Sequence, residues 1–447
     1  MTTLENKKQL LHLTWPIFLE AILFSVIGSV DTIMLSGYAD NAVGAVGAVN
    51  QVLSLFQVIS NIITTGTGIL CAQYIGAGKT QNQKQPLVLA ALLVNTGLGI
   101  LFSAAALFLG DALLTMVNIA PELRGYAKEY LSIVGGFLFV QMLAMTFTVI
   151  IRSHGKTRAT MVFSLLMNLC NLALNYVLIY GKLGAPALGV SGAAIATVVS
   201  KCLACGMAGI YLFVKILPGI SWRPQWRALG GCMRGILAYG SPAAGEQISY
   251  TLSKIVVLAM VNDISVTAAN AYNYVNIVVS YVYLFSMAVG QGTSIMVGWD
   301  VGKKQPESAK GLCRFSVNTA FLFSMGAMVV LSLVRRPMMD LFTNDAAIIE
   351  LGASVILANF LLEAGRSRNL VLVNSLRAAG DVAFPLYVGL ISMWLFSVGF
   401  SWLLGIRLGL GLVGIWLGLG LDECFRAIAM QIRWNRGSWM RRIGKLS

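Results

Sequence analysis

The stretch Leu13–Ser36, LTWPIFLEAILFSVIGSVDTIMLS, decides what kind of protein this is. It is almost unbroken in apolar character and long enough to cross a bilayer as one helix. Two carboxylates interrupt it, Glu20 and Asp31. They stand eleven positions apart, about three helical turns, so both lie toward one side of the helix. Charged groups inside a membrane are costly and rare. They face protein interior or water, and they usually mark a transport path.

The rest of the chain repeats this character. Of its 447 residues, 57% are hydrophobic and only 11% charged, against about a quarter in soluble proteins. Hydrocarbon offers no partner to open backbone groups, so the expected fold class is an all-α membrane protein. The polar start MTTLENKKQ leads straight into the first span and has no signal-peptide form. Net charge is +14. In such a chain that excess reports topology and does not call for a nucleic-acid partner. The seven cysteines lie mostly in apolar segments, so neither a disulfide framework nor a zinc site is expected, and Cys202-x-x-Cys205 reads as span packing.

Twelve spans are predicted, at about 13–36, 48–73, 87–109, 127–151, 160–180, 188–212, 236–261, 270–298, 314–334, 347–375, 384–405 and 410–431. With the N-terminus inside, the inner segments hold 21 Lys and Arg residues and the outer segments 6. That bias predicts cytoplasmic termini. The longest connection divides the chain into a lobe over 1–214, a cytoplasmic linker over 215–235, and a second lobe over 236–447 that ends in a basic tail.

The halves repeat. Pro16-x-x-x-Glu20 matches Pro242-x-x-x-Glu246, and Tyr74-Ile75-Gly76-Ala77-Gly78-Lys79 matches Asp300-Val301-Gly302-Lys303-Lys304. Ile151-Arg152 through Lys156 matches Leu376-Arg377 through Asp381, and Leu188-Gly189-Val190-Ser191-Gly192 matches Leu410-Gly411-Leu412-Val413-Gly414. The offsets are 226, 226, 225 and 222 residues, with each match in the same place of its half. Six spans per half give two pseudo-symmetric lobes about an axis along the membrane normal, with a cleft between them. That plan suits alternating access around a site near mid-membrane.

Asp31 is the leading candidate for chemistry. Asn168, Asn171 and Asn175 are spaced three and four apart, so their amides line one face of the fifth span. The sixth span adds Thr197. A carboxylate, amides and a hydroxyl suit a hard cation such as Na⁺ or a proton switch. Glu20 and Glu246 each follow a proline by one turn and are candidates for a substrate cavity, with a structural role at the inner mouth as the other reading. Glu363 and Arg366, three apart, form an expected ion pair that Arg368 and Asn369 extend. Asp422, Glu423 and Arg426 are expected to pair likewise, and Lys201 and Lys254 stand alone within spans. With only His12 and His154 as histidines, and no phosphate-binding loop or zinc-helix motif, neither an enzyme nor an ATP-driven pump is expected, and no cofactor.

These residues resemble the multidrug and toxic compound extrusion (MATE) transporters. The resemblance rests on Pro16 with Val30-Asp31-Thr32-Ile33-Met34, Gly76-Ala77-Gly78, Asn168 to Asn175-Tyr176, Gly189-Val190-Ser191-Gly192 with Thr197, and Leu376-Arg377-Ala378-Ala379-Gly380-Asp381. It implies twelve helices in two six-helix lobes and the export of organic compounds in exchange for H⁺ or Na⁺. It places the cation-coupling site at Asp31, Asn171, Asn175 and Thr197, with Na⁺ at Asp31, Asn171 and Thr197 if sodium is used. Many members carry an aspartate where this chain has Asn175, so Asp31 would hold the coupling charge nearly alone. Glu246 matches a glutamate that members use in the second lobe. The Glu363-x-x-Arg366-x-x-Asn369 face looks closer to a branch that includes the flavin exporter YeeO. With Glu20, Glu246 and Lys254, this face gives the substrate-cavity candidates.

The expectation is therefore a monomeric antiporter in a bacterial inner membrane, acting on drugs or on cationic or aromatic metabolites, flavins among them. Its partners are that small molecule and membrane lipid. The alternative is a flippase for lipid-linked oligosaccharides, whose two-lobe relatives often have a cationic cavity. Lys201, Lys254, Arg366 and Arg368 keep that reading open.

Overall fold

The computed structural model describes residues 3–219 and 226–442. The predicted linker's residues 220–225 and the end of the basic tail, 443–447, lie outside the described residues. Every long element among those described is a helix. We number them α1 Thr3–Ser36, α2 Asp40–Gly76, α3 Gln81–Phe108, α4 in two pieces Pro121–Gly135 and Leu138–Ser153, α5 Thr157–Tyr180 and α6 Gly189–Ile216. The second half follows as α7 Trp226–Ile264, α8 Val266–Gly302, α9 Pro306–Leu333, α10 Ala346–Ala378, α11 Ala383–Arg407 and α12 Gly411–Asn435.

Nine of these are single helices long and apolar enough to span a membrane, and the bent α4 makes ten. The other two, α7 and α12, carry too much polarity along their length to pass on hydropathy. In α12 the reason is visible, because Asp422, Glu423 and Arg426 are all buried within the protein. α7 begins at Trp226, inside the stretch read as linker, because hydropathy finds only the apolar part of a helix. α1 and α7 both run through their prolines, Pro16 and Pro242, without a break.

α4 bends by 48° where a π-helical turn, Leu131–Gly135, meets Gly136 and Phe137. Such bends need another partner for the freed backbone groups. Here the Phe139 N–H donates to Ser103 Oγ of α3 at 3.2 Å. α5 stops at Gly181, whose left-handed backbone (φ 64°) ends the helix.

The helices gather into two compact units. One comprises Leu19–Ile75 and Lys79–Ser241, and the other the residues up to Phe18, Gly76–Gly78 and those from Pro242 onward. The start of α1 thus packs with the C-terminal unit. Phe18 meets Phe285 edge-on at 5.3 Å, and Thr14 lies against Gly292 of α8.

Apolar burial gives little preference for protein over lipid tails, so packing and polar contacts between helices carry the specificity. In the N-terminal unit Asn95 of α3 accepts from Ser60 of α2 at 3.0 Å and donates to Thr146 of α4 at 2.7 Å. In the C-terminal unit Trp416 of α12 donates to Asn359 of α10 at 2.9 Å within a core of Tyr272, Val275, Ile356 and Ile415. Gly192 lets α6 lie directly on the Leu178 carbonyl of α5, where a side chain would collide.

Candidate functional site

In the N-terminal unit, α1 and α5 bring Asp31 and the amide face together. Asn175 Nδ2 donates to Asp31 Oδ1 at 2.9 Å. Turned so that its nitrogen faces the carboxylate, Asn171 donates to Asp31 Oδ2 at 3.1 Å and Oδ1 at 3.2 Å. A carboxylate accepts only, so this orientation is the one that satisfies both groups. Asn168, Asn171 and Asn175 are buried, as their spacing on one face requires, while Asp31 is half-buried. Two amide atoms here have no partner: Asn175 Oδ1 and Asn168 Nδ2. A buried, unpaired amide oxygen is costly unless some other state of the protein uses it.

Thr197 does not complete this group directly. Its hydroxyl donates back to the Ala193 carbonyl at 2.9 Å. The buried Tyr130 of α4 interacts with Thr197 through its hydroxyl and lies within electrostatic reach of Asp31. Tyr130 escaped the sequence reading because a lone tyrosine near a helix bend carries no signal of its own.

Glu20 and Glu246 lie apart from this group, and each is held by an arginine of its own unit. Arg152 Nη2 meets Glu20 Oε2 at 2.6 Å, and Arg377 Nη2 meets Glu246 Oε2 at 2.6 Å. Ser164 also donates to Glu20 Oε1 at 2.6 Å. All four charged residues occupy matched places of the repeat. The arginines had counted only as evidence of topology, although both stood in repeated motifs.

The C-terminal unit holds a second polar cluster, on α10 and α12. Arg426 bonds both Asp422 and Glu423 at 2.9 Å. Glu423 also accepts from Asn369 at 2.9 Å and lies 3.7 Å from Arg366. Ser392 of α11 donates to Asp422. Arg366 is shared, since Glu363 lies on its other side at 3.8 Å. Glu363 is fully buried, and neither of its oxygens has a hydrogen bond. Lys254 of α7 sits over the Tyr250 ring at 5.6 Å, within electrostatic reach of Glu423.

Arg368 does not extend this patch, contrary to the sequence expectation. It is exposed and stacks on Phe321 at 4.0 Å. Its neighbour Asn369 points roughly 100° away around the helix, toward α12. No group of three or more His, Cys, Asp or Glu side chains forms a metal site among the described residues.

Comparison with known proteins agrees with the fold and the repeat. The MatE family pattern matches residues 16–177 and again 242–403. The chain is 36% identical over 435 residues to YisQ of Bacillus subtilis, described as an uncharacterized transporter, covering 97% of this chain and 95% of that protein. It is 28% identical to a probable multidrug resistance protein NorM of Thermotoga maritima, covering 98% and 94%. A mutant form of the MATE transporter VcmN of Vibrio cholerae shares the fold with a TM-score of 0.89 at 17% identity, over 97% of each chain. The chain therefore belongs to the MatE family and is a multi-pass membrane transporter.

Proposed function

We propose that this protein is a secondary antiporter of a bacterial inner membrane that exports small organic compounds, aromatic metabolites and flavins among them, in exchange for H⁺ or Na⁺. In this reading it works as a monomer with both termini in the cytoplasm, and the lobes 1–214 and 236–447 move about the linker 215–235. The observation that carries the reading is the coupling of Asp31 to two buried side-chain amides on another helix.

A proton added to Asp31 turns an acceptor into a donor. The Asn175 amide then has reason to turn over, and its unpartnered Oδ1 becomes the acceptor of the new O–H. For Na⁺, the same rotation of Asn171 and Asn175 presents amide oxygens beside the carboxylate, with the hydroxyl of Thr197 nearby, and hard cations take such oxygen ligands. Either ion thus favours a different arrangement of α1 against α5. An ion drives transport only through such a difference in affinity between states. Of the two ions the proton is the simpler fit, because both amides present nitrogen to the carboxylate.

The flippase reading has less support. Of the four cations that kept it open, Arg366 is engaged by Glu363 and Glu423, and Arg368 is exposed and stacks on Phe321, which leaves Lys201 and Lys254.

The test is efflux of a fluorescent cation and of a flavin from proteoliposomes, driven by a pH or Na⁺ gradient, for wild type and Asp31→Asn. Gradient-driven efflux that disappears in the variant is the expected result. Efflux that is indifferent to both gradients rules out exchange, and coupling that survives Asp31→Asn removes Asp31 from the site.

A further inference from the structure

The two units share a scaffold, yet a contact between matched positions differs in charge. By the offsets of the repeat, Arg366 of α10 corresponds to Gln141 of α4, and Glu423 of α12 to Lys201 of α6. In the C-terminal unit these positions face each other as a cation and a carboxylate, 3.7 Å apart. In the N-terminal unit they face each other again, with Lys201 Nζ donating to Gln141 Oε1 at 2.8 Å. The cation has moved to the other helix, and the carboxylate has been replaced by a neutral amide.

Among the described residues, no carboxylate therefore offsets the charge of Lys201. An ammonium has three donors, and Gln141 takes one. Arg152, Arg366, Arg377 and Arg426 each meet a carboxylate of their own unit, whereas among the described residues none pairs with Lys201. It cannot escape to water along the helix. Lys201 lies roughly 18 Å from one end of α6 and 22 Å from the other, beyond the reach of a lysine stem.

Nor does it face lipid. The exposed stripe of α6 runs through Val199, Leu203 and Ile210. Lys201 lies roughly 200° around the helix from Val199, on the opposite face. That face is the one of Thr197, a single turn away, which interacts with Tyr130, itself within electrostatic reach of Asp31. Lys201 is partly accessible there.

We propose that Lys201 and Gln141 form an anion-binding subsite on the interior face of the N-terminal unit, which takes a carboxylate group of the exported compound. The Lys201 ammonium and the Gln141 amide nitrogen, Nε2, supply two donors to the two oxygens of one carboxylate. The subsite supplies a cation on the same interior as the Asp31 carboxylate, so it selects acids and zwitterions over plain organic cations. The inference rests on the export reading above, and the test separates the two.

The probes are a carboxylated rhodamine and its methyl ester, which differ only in the acid. Their binding to purified protein is measured by fluorescence anisotropy, and their efflux in proteoliposomes under an ion gradient, for wild type, Lys201→Met and Lys201→Arg. Wild type is expected to prefer the acid. Lys201→Met weakens acid binding roughly tenfold to a hundredfold, as loss of a charged hydrogen bond should, and leaves the ester unchanged. Lys201→Arg keeps the preference, which separates lost charge from lost packing. Acid-selective binding that depends on Lys201, without gradient-driven efflux of either dye, leaves the subsite standing and breaks the export reading. A wild type that does not prefer the acid, an equal loss for both dyes, or a preference that survives Lys201→Met overturns the subsite.

Discussion

The matched ion pairs make a quantitative prediction. Removing one partner of a fully buried pair typically destabilises by about 3–5 kcal/mol, because the other charge is left behind, whereas an exposed pair is worth about 1 kcal/mol or less. The side chains of Arg377 and Glu246 are 19% and 10% exposed, and those of Arg152 and Glu20 are 22% and 15% exposed. Both pairs are mostly buried, so Arg377→Met is expected to cost about 2–3 kcal/mol. Arg152→Met should cost about as much, because Ser164 still donates to Glu20 while the Arg152 bond to Thr160 Oγ1 is lost, each worth about 1 kcal/mol. The double variant Glu246→Gln/Arg377→Met removes both charges and should be more stable than Arg377→Met alone. Unfolding of purified protein by SDS in mixed micelles, followed by tryptophan fluorescence, reads all of these. Single costs that simply add in the double, or an Arg152→Met or Arg377→Met that costs nothing, would refute the view that these contacts pin matched places of the two repeats.

Two further outcomes follow from the sites. Asn175→Asp places a second carboxylate beside Asp31, and two adjacent carboxylates favour a bound cation; Na⁺ should then protect the purified variant against thermal unfolding more than it protects wild type, and equal protection would contradict the arrangement. His154, just beyond the end of α4, has its pKa lowered by burial, from 6.5 to about 4. Between those values the unfolded chain holds the extra proton, so stability should fall as pH drops through that window, by roughly 3 kcal/mol at most. Melting curves of His154→Gln should be flatter over the same range, and an unchanged slope would assign the pH dependence elsewhere.

Much of the fold was legible because its signals are local or repeated. Apolar length marks a span, and a recurring motif marks a repeat. α7 and α12 show where hydropathy weakens, since helices that bury charge against their neighbours resemble soluble ones. The candidate site was half legible. Three asparagines at helical spacing announce a shared face, and the structure brings Asn171 and Asn175 to Asp31. Contacts between distant helices were harder to see. Arg152 lies 132 residues from Glu20, and Arg377 lies 131 from Glu246. Nothing in either local sequence names its partner. The fact that both members recur at matched offsets was the available clue. Tyr130 has no such clue, because its meaning comes only from what α1 and α6 place beside it.

The repeat also separates scaffold from chemistry. Positions that keep their residues in both halves, such as the Glu–Arg pairs, answer needs both units share: a helix held beside its proline, and a buried charge offset. Positions that diverge do not serve a common frame. Asp31 corresponds to Val257 and Thr197 to Leu419, and both of these lie in the apolar core of the C-terminal unit. The proposed carboxylate switch therefore has residues in one unit only. In its place the C-terminal unit has a network in which Asp422, Glu423, Arg366 and Arg426 offset one another, and the N-terminal counterpart of its Arg366–Glu423 contact is Gln141–Lys201, with one charge missing. A protein that neutralised every buried charge would have no electrostatic demand left for a ligand to meet. Here the unit that carries Asp31, the carboxylate proposed to switch, is also the one that leaves Lys201 without a carboxylate partner among the described residues, which is the arrangement expected where ion and cargo act on the same unit.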